Sequence, residues 1–337
     1  TEMWELNAYF RKNKLILNRG IGGDRTEYLL KRFARSILTL VIIISVVFIL
    51  LRLMPIEGYF QNYEKLTNEQ IQAGIHNMGL DKPVLIQLKD FFIQLLHGDL
   101  GTSRIYRANV PITEILASKI PISLQLGGIA LVISLIIGLP LGSLMARSKG
   151  KFWDKFGTAF IVFVQAVPAA VYFLFIQIFG NEWFGFSMLF SKDNYSTWIM
   201  PILSMAIGNT AYYAMWIRRY MVDESNKDYV KLAKAKGVSD NKIMMKHVFR
   251  NAFVPMIQYL PTSFLNSIVG SIYVESLYSI PGMGGLLVDV VKRQDNTMVQ
   301  AIVIVFACVG ILGLMLGDLL MALIDPRISL NKKGGAR

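Results

Sequence analysis

Charge, cysteine and histidine are all scarce in this chain. Acidic and basic side chains make up 17% of its 337 residues, while 53% are hydrophobic. That balance excludes an ordinary water-soluble domain, in which about a quarter of residues are charged. Cysteine occurs once, as Cys308, which excludes an intrachain disulfide framework. A single Cys in an apolar run reads as a small packing residue. The three histidines, His76, His97 and His247, are scattered along the chain and do not make one metal site. The sequence has no H-E-x-x-H and no G-x-x-x-x-G-K-[ST] phosphate loop, so it does not bind nucleotide by that route. It also has no internal repeat at a period of roughly 20–50 residues and no low-complexity tract.

Long apolar runs are what the chain does have. Six stand out: Phe33–Met54, Ile120–Ala146, Phe156–Gly180, Thr197–Ile217, Ala252–Val274 and Met298–Ile324. Each can cross a hydrocarbon core of about 30 Å at about 1.5 Å per residue. Lipid offers no hydrogen bonds to a bare backbone, so the runs are expected to be helices of an all-α membrane protein with six transmembrane helices. Four carry no formal charge; the first has Arg35 and Arg52 near its ends, and the sixth has Asp318. The first run is too long for a signal-peptide core and lacks a small-residue cleavage pattern after it, so it reads as a retained helix.

The net charge is +12. Of the 35 Lys and Arg, 24 lie in residues 1–32, 147–156, 218–250 and 325–337, against nine in 55–119, 181–196 and 275–297. This is the positive-inside asymmetry, and it puts both termini in the cytoplasm. The basic excess is thus a topology signal with a minor part in binding anionic lipid. No nucleic-acid recognition fold accompanies it. The expected organisation is a cytoplasmic arm 1–32, with a helix at Met3–Leu17; a transmembrane unit 33–324; and a cytoplasmic tail 325–337. The transmembrane unit includes an outer cap 55–119 and a cytoplasmic loop 218–251. The cap holds two amphipathic stretches, Lys65–Met78 and Pro83–Leu96.

Proline occurs inside the spans at 140, 168, 201, 255 and 261, where it frees a carbonyl and permits bends. Small residues recur at four-residue spacing: Gly138 and Gly142; Ser263, Ser267 and Ser271; Gly313 and Gly317. They are either packing seams or the close contacts of helices that line a pathway. Gln258, Thr262 and Asn266 share one helical face. Amides are costly against lipid, so that face is expected to look inward. With Gln165 and Asn209, these residues are the candidate translocation-pathway residues. Asp318 stands alone within about two turns of the cytoplasmic end, where it reads as an interfacial hydrogen bond or salt bridge. A proton-driven carrier would need relayed ionisable groups at mid-membrane. The chain therefore reads as a passive conduit that draws energy from elsewhere.

Residues 228–251, DYVKLAKAKGVSDNKIMMKHVFRN, form a basic hydrophilic segment between spans four and five. Asp228 suits the first turn of a short helix. Tyr229, Leu232, Ala233 and Lys236 fall on one face, and Ala233 and Ala235 are small enough to enter a narrow cleft. Gly237 is expected to end this helix, and Ser239 to cap a second, Asn241–Arg250. An ordinary solvated basic loop is the alternative, but such loops seldom carry capped helix–Gly–helix order.

Asp228–Gly237, followed by His247–Ala252, resembles the EAA loop of bacterial ABC-transporter permeases, and more narrowly the dipeptide/oligopeptide/nickel permease family. Gly79–Pro83, Gly98–Gly101, Val274–Glu275, Pro281–Gly284 and Leu323–Arg327 are similar to blocks of its B-type subunit. The resemblance covers about residues 25–330, departs at Met54–Gly58, and leaves a longer N-terminal arm. It implies a type I ABC importer permease fold in the bacterial plasma membrane. It implies a cytoplasmic coupling helix built from Asp228, Tyr229, Leu232, Ala233, Ala235, Lys236 and Gly237. The implied partners are a second homologous permease, two ATPase subunits that hold the ATP and Mg, and an extracytoplasmic binding protein that delivers peptide. No catalytic residue, metal or cofactor is expected on this chain. Nickel, haem or glutathione is the alternative substrate within the family. An ion-coupled carrier or channel and an intramembrane enzyme are the rivals outside it.

Overall fold

A computed structural model describes residues 30–324. The N-terminal arm with its expected helix Met3–Leu17, and the tail from residue 325, lie outside the described residues. The helices are α1 (Leu30–Arg52), α2 (Asn68–Asn77), α3 (Val84–Leu96), α4 (Ile112–Arg147), α5 (Phe152–Ala166), α6 (Ala169–Phe184), α7 (Ile199–Ser225), α8 (Asp228–Ala235), α9 (Asp240–Lys242), α10 (Phe249–Ile257), α11 (Tyr259–Val269), α12 (Ile272–Leu277), α13 (Met283–Lys292) and α14 (Asn296–Ile324). A π-helical stretch, Ile243–Val248, joins α9 to α10. No strand occurs among the described residues, only one isolated bridge between Thr102 and Pro111.

Several boundaries follow local chemistry. Thr67 caps α2 in a reciprocal box, accepting from Gln70 N–H at 3.3 Å while its own N–H donates to Gln70 Oε1 at 3.0 Å. Pro83 immediately precedes α3, where its fixed φ suits a helix start. The expected amphipathic stretches of the cap are thus α2 and α3.

Several of the expected spans differ, the fourth by running on as α7 to Ser225. The second starts at Ile112 rather than Ile120, because the helix runs straight through Pro121. The third is not one rod: α5 and α6 meet at 107°. Val167, held extended at ψ 129° as the residue before Pro168, breaks the helix there. The fifth ends at Val269 rather than Val274, because Gly270 takes φ 73° and Ser271 starts the separate helix α12. Among the described residues three helices are long and apolar enough to cross a membrane, α1, α4 and α14, or four if α5–α6 counts as one span. Helix α7 has the length but carries Asn209, Thr210, Tyr212 and Tyr213 on its middle turns.

Helix α4 is the axis of the core. It contributes to all three buried clusters: with α5, α6, α7 and α12; with α7, α8, the π stretch and α10; and with α13 and α14. Two small-residue pairs are packing seams. A Cβ on Gly142 would sit 2.3 Å from Ala214 O, and one on Gly138 would sit 2.8 Å from Thr210 O, so α4 and α7 touch backbone to backbone. Gly313 and Gly317 do the same on α14, where a Cβ would lie 2.8 Å from Thr262 Cα and 2.1 Å from Gln258 O.

Candidate coupling segment and translocation face

Segment 228–251 folds as a short helix held on one side. Lys227 is extended and starts α8, Asp228 lies in its first turn, and Lys231 Nζ pairs with Asp228 at 2.9 Å. The stop is a Schellman motif: Gly237 N–H donates to Lys234 O at 2.9 Å and Val238 N–H to Ala233 O at 3.2 Å. Gly237 takes φ 75°, the left-handed value that favours glycine. Ser239 is extended and precedes α9, although its side chain makes no capping bond.

Burial sorts the seven sequence-selected residues. Val230, which the sequence reading did not single out, is 2% exposed and packs among Ile217, Met221, Ile243 and Val248. Tyr229 and Ala233 lean on the same cluster and are half-buried. Leu232 is 56% exposed, and Asp228, Ala235, Lys236 and Gly237 are also exposed. The free face of α8 is therefore Leu232, Ala235 and Lys236, while Val230, Tyr229 and Ala233 fasten it to α7 and the π stretch. Only a face off the core can hold a large exposed apolar side chain such as Leu232.

Two further features brace this end. The expected second helix, Asn241–Arg250, contains the π stretch, with Ile243 and Val248 fully buried. A π turn carries one more residue than an α turn and frequently marks a functional joint. Asp154 at the start of α5 accepts from Arg218 Nε at 2.5 Å and Arg218 Nη2 at 2.9 Å, tying α5 to the far end of α7.

The five candidate pathway residues separate. Asn209 of α7 and Asn266 of α11 line one cavity of about 280 Å³ with Gly127, Ser263 and Ser267. Gln258 and Thr262 instead abut α14. Gln258 Nε2 donates to Asp318 Oδ1 at 2.8 Å, and Asp318 also pairs with Arg32, so that acid is not alone. Gln165, near the α5–α6 break, is exposed and donates to Met215 Sδ at 3.3 Å.

At the opposite end of the bundle two buried carboxylates organise loops. Glu275, fully buried, accepts from Ser123 Oγ at 2.8 Å, Gly284 N–H at 2.7 Å and Gly285 N–H at 3.0 Å. A Cβ on Gly282 would fall 2.4 Å from both Glu275 Oε2 and Ser123 Oγ, so the Pro281–Gly284 turn closes over the carboxylate. Asp295, also fully buried, pins the cap to α14. Its Oδ2 accepts from Ser103 Oγ at 2.8 Å and from the N–H groups of Arg104, Ile105 and Tyr106 at 3.1, 2.9 and 3.0 Å. Its Oδ1 accepts from Thr297 Oγ1 at 2.7 Å and Met298 N–H at 3.2 Å. Gly98 and Gly101 turn the chain into this clasp with φ 74° and 80°. Among the described residues no cluster of His, Cys, Asp and Glu could hold a metal ion.

Comparison with known proteins gives concordant matches. Residues 138–330 match the family of binding-protein-dependent transport system inner membrane components, and residues 25–126 match the N-terminal part of such membrane components. The dipeptide transport system permease protein DppB of Lactococcus lactis subsp. cremoris is 32% identical over 308 residues, which cover 90% of this chain and 99% of that protein. The oligopeptide transport system permease protein AmiC of Streptococcus pneumoniae is 36% identical over 212 residues, 62% of this chain and 42% of AmiC. The chain thus matches less than half the length of AmiC. The glutathione transport system permease protein GsiC of Salmonella typhimurium is 31% identical over 304 residues, covering 90% of this chain and 98% of that protein.

Proposed function

The chain belongs to the family of binding-protein-dependent transport system inner membrane components, and from that premise we propose that it is the B-type permease subunit of an ATP-driven peptide importer. It forms half of a translocation pathway together with a second, homologous permease. Two ATPase subunits bind below and an extracytoplasmic binding protein delivers peptide above. Both termini and segment 218–251 face the cytoplasm, and six spans cross the membrane in a type I importer arrangement.

The observation that carries this reading is the two-sided geometry of α8. Val230 anchors one side in the bundle, and Leu232, Ala235 and Lys236 present the other. A rigid, capped helix seated in an ATPase cleft moves with the closing ATPase pair. Its buried side passes that motion through α7 and the π stretch to α10 and α11. Asn209 and Asn266 line the cavity where the moving elements meet, and there they offer amide donors and acceptors to a peptide backbone. ATP hydrolysis belongs to the partner subunits, and this chain contributes no catalytic group.

The test is transport by the full complex in proteoliposomes, supplied with labelled dipeptide, tetrapeptide, glutathione and nickel in parallel. Peptide accumulation that requires both ATP and binding protein supports the reading. Uptake of glutathione or nickel in preference to peptide contradicts the substrate. Uptake driven by an ion gradient without ATP contradicts the class.

A further inference from the structure

Two arginines at the cap end have no acidic partner. Arg52 ends α1, and Arg104 lies in the loop clasped by Asp295. Both line one cavity of about 240 Å³ between α1, α3 and the start of α14, together with Gln94, Thr102, Thr297 and Gln300. Among the described residues neither guanidinium donates a hydrogen bond or pairs with a carboxylate, and both Nε atoms are enclosed without a partner. Arg52 is held by rings, 4.7 Å from the centroid of Phe48 and 5.1 Å from that of Tyr59. The acids nearby are spent elsewhere. Asp295 is consumed by the 103–106 loop, Asp99 accepts from Gly101 N–H at 2.8 Å, and Asp90 pairs with Lys82 at 3.4 Å. Two always-charged groups side by side in one half-open cavity suit an anion, and a guanidinium fork suits one with paired oxygens.

The surroundings are apolar. Helix α3 turns Leu85 and Leu96 outward, 77% and 86% exposed, together with Ile86 and Ile93. The last turn of α1 adds Leu50, and Leu53 follows it. Phe91 of α3 packs on Phe48 of α1 at 5.2 Å between ring centroids, which joins the two helices beside the cavity and leaves their exposed leucines on the outer sides of both. A basic pocket beside exposed leucines on an amphipathic helix fits an interfacial lipid better than a soluble ion.

We propose that the Arg52–Arg104 cavity binds the phosphodiester headgroup of a phospholipid, whose acyl chains leave the half-open cavity for the apolar outer sides of α1 and α3. The lipid sits in the leaflet that the cap end faces, the outer one in the orientation proposed above. It completes the junction between α1, the cap and α14 by supplying the acceptors that the chain lacks.

The test is native mass spectrometry of the purified full chain in detergent, titrated with dioleoylphosphatidylglycerol. The parent is expected to retain one lipid that Arg104→Gln and the Arg52→Gln/Arg104→Gln double variant bind at least about tenfold more weakly, the effect of about one lost charge-assisted hydrogen bond. Arg104 makes no ring contact, so its single variant keeps the test valid if loss of Arg52 impairs folding. Lys192→Gln, an equal charge change at an exposed position in the loop between α6 and α7, is expected to bind like the parent. Parental affinity in Arg104→Gln, or equal weakening in Lys192→Gln, overturns the site. Displacement of the lipid by inorganic phosphate at equal concentration overturns the lipid and leaves a small-anion site instead.

Discussion

Replacing Asp295 by Asn preserves the shape of the side chain and removes its charge, so it isolates what the carboxylate does. Six donors converge on the two oxygens. With the amide oxygen in the Oδ1 position, Thr297 and Met298 keep their acceptor, but the NH2 group faces three backbone N–H groups that cannot turn away. With the amide flipped, the NH2 faces Met298 N–H and Thr297, and the cap of α14 is lost. The flipped arrangement is the lesser: it keeps an acceptor on residues 104–106 and orphans only the Met298 N–H, at a cost of about 1–3 kcal/mol. In a chain of this size that lowers the thermal midpoint by about 2–4 °C. Hydrogen exchange at Met298 should rise by about tenfold or more, because that amide loses its acceptor. The pH dependence follows. Burial works to raise Asp295, but the donors from Tyr106, Ile105, Thr297 and Ser103 outweigh it and leave the carboxyl below its ordinary 3.8. The stabilisation is therefore full above that value and is lost as pH falls through the lower folded one, and the Asn variant should lack this part of the acid transition. Unchanged exchange at Met298 together with a parental midpoint at neutral pH would refute the clasp.

Two more predictions concern the bundle. Gly142→Val should abolish folded protein, because its Cβ would meet Ala214 O at 2.3 Å and Ile217 Cγ2 at 2.4 Å. Gly128→Ala, with nothing within 4 Å of the new atom, should leave the yield and thermal midpoint unchanged, and equal behaviour of the two would contradict the α4–α7 seam. Deleting the exposed Met245 should turn the π stretch into α-helix and rotate α8 and α9 by about 100° relative to α10. Transport by the complex should then be lost while membrane insertion persists, as read by peptide uptake beside a protease-protection map.

The sequence was most legible where the determinants are local. Thr67, Pro83, Gly98, Gly101 and Gly237 each set a turn or cap through their own backbone preferences, so α2, α3 and α8 lie close to where the pattern puts them. Proline alone was not legible in the same way: α4 passes through Pro121 and Pro140, whereas Pro168 divides α5 from α6. What distinguishes them is the packing available to each half, which no short window contains. Glu275 and Asp295 sit in 275–297, a segment that the charge count places only on the outer side. Their donors lie 152 residues away at Ser123 and 192 away at Ser103, so only the folded chain brings them together. Gln258 and Thr262 share the predicted face with Asn266, yet the seam at Gly313 and Gly317 draws α14 onto the first two and leaves Asn266 beside Asn209. Helix α8 shows the same limit on a smaller scale. Its ends were readable, but Val230 as the anchor was not, since Val and Leu on a short basic helix look alike until the core claims one of them.

The most direct test of the coupling role is Leu232→Asp in the reconstituted transporter. Leu232 is 56% exposed and belongs to none of the buried clusters, so the variant should insert, fold and assemble with the second permease like the parent. An acidic side chain on the free face of α8 removes its apolar anchor, and a loss of about 2 kcal/mol there would lower ATP-driven peptide uptake by at least about tenfold. Uptake at the parental rate, with the complex fully assembled, would contradict α8 as the element that receives the ATPase stroke.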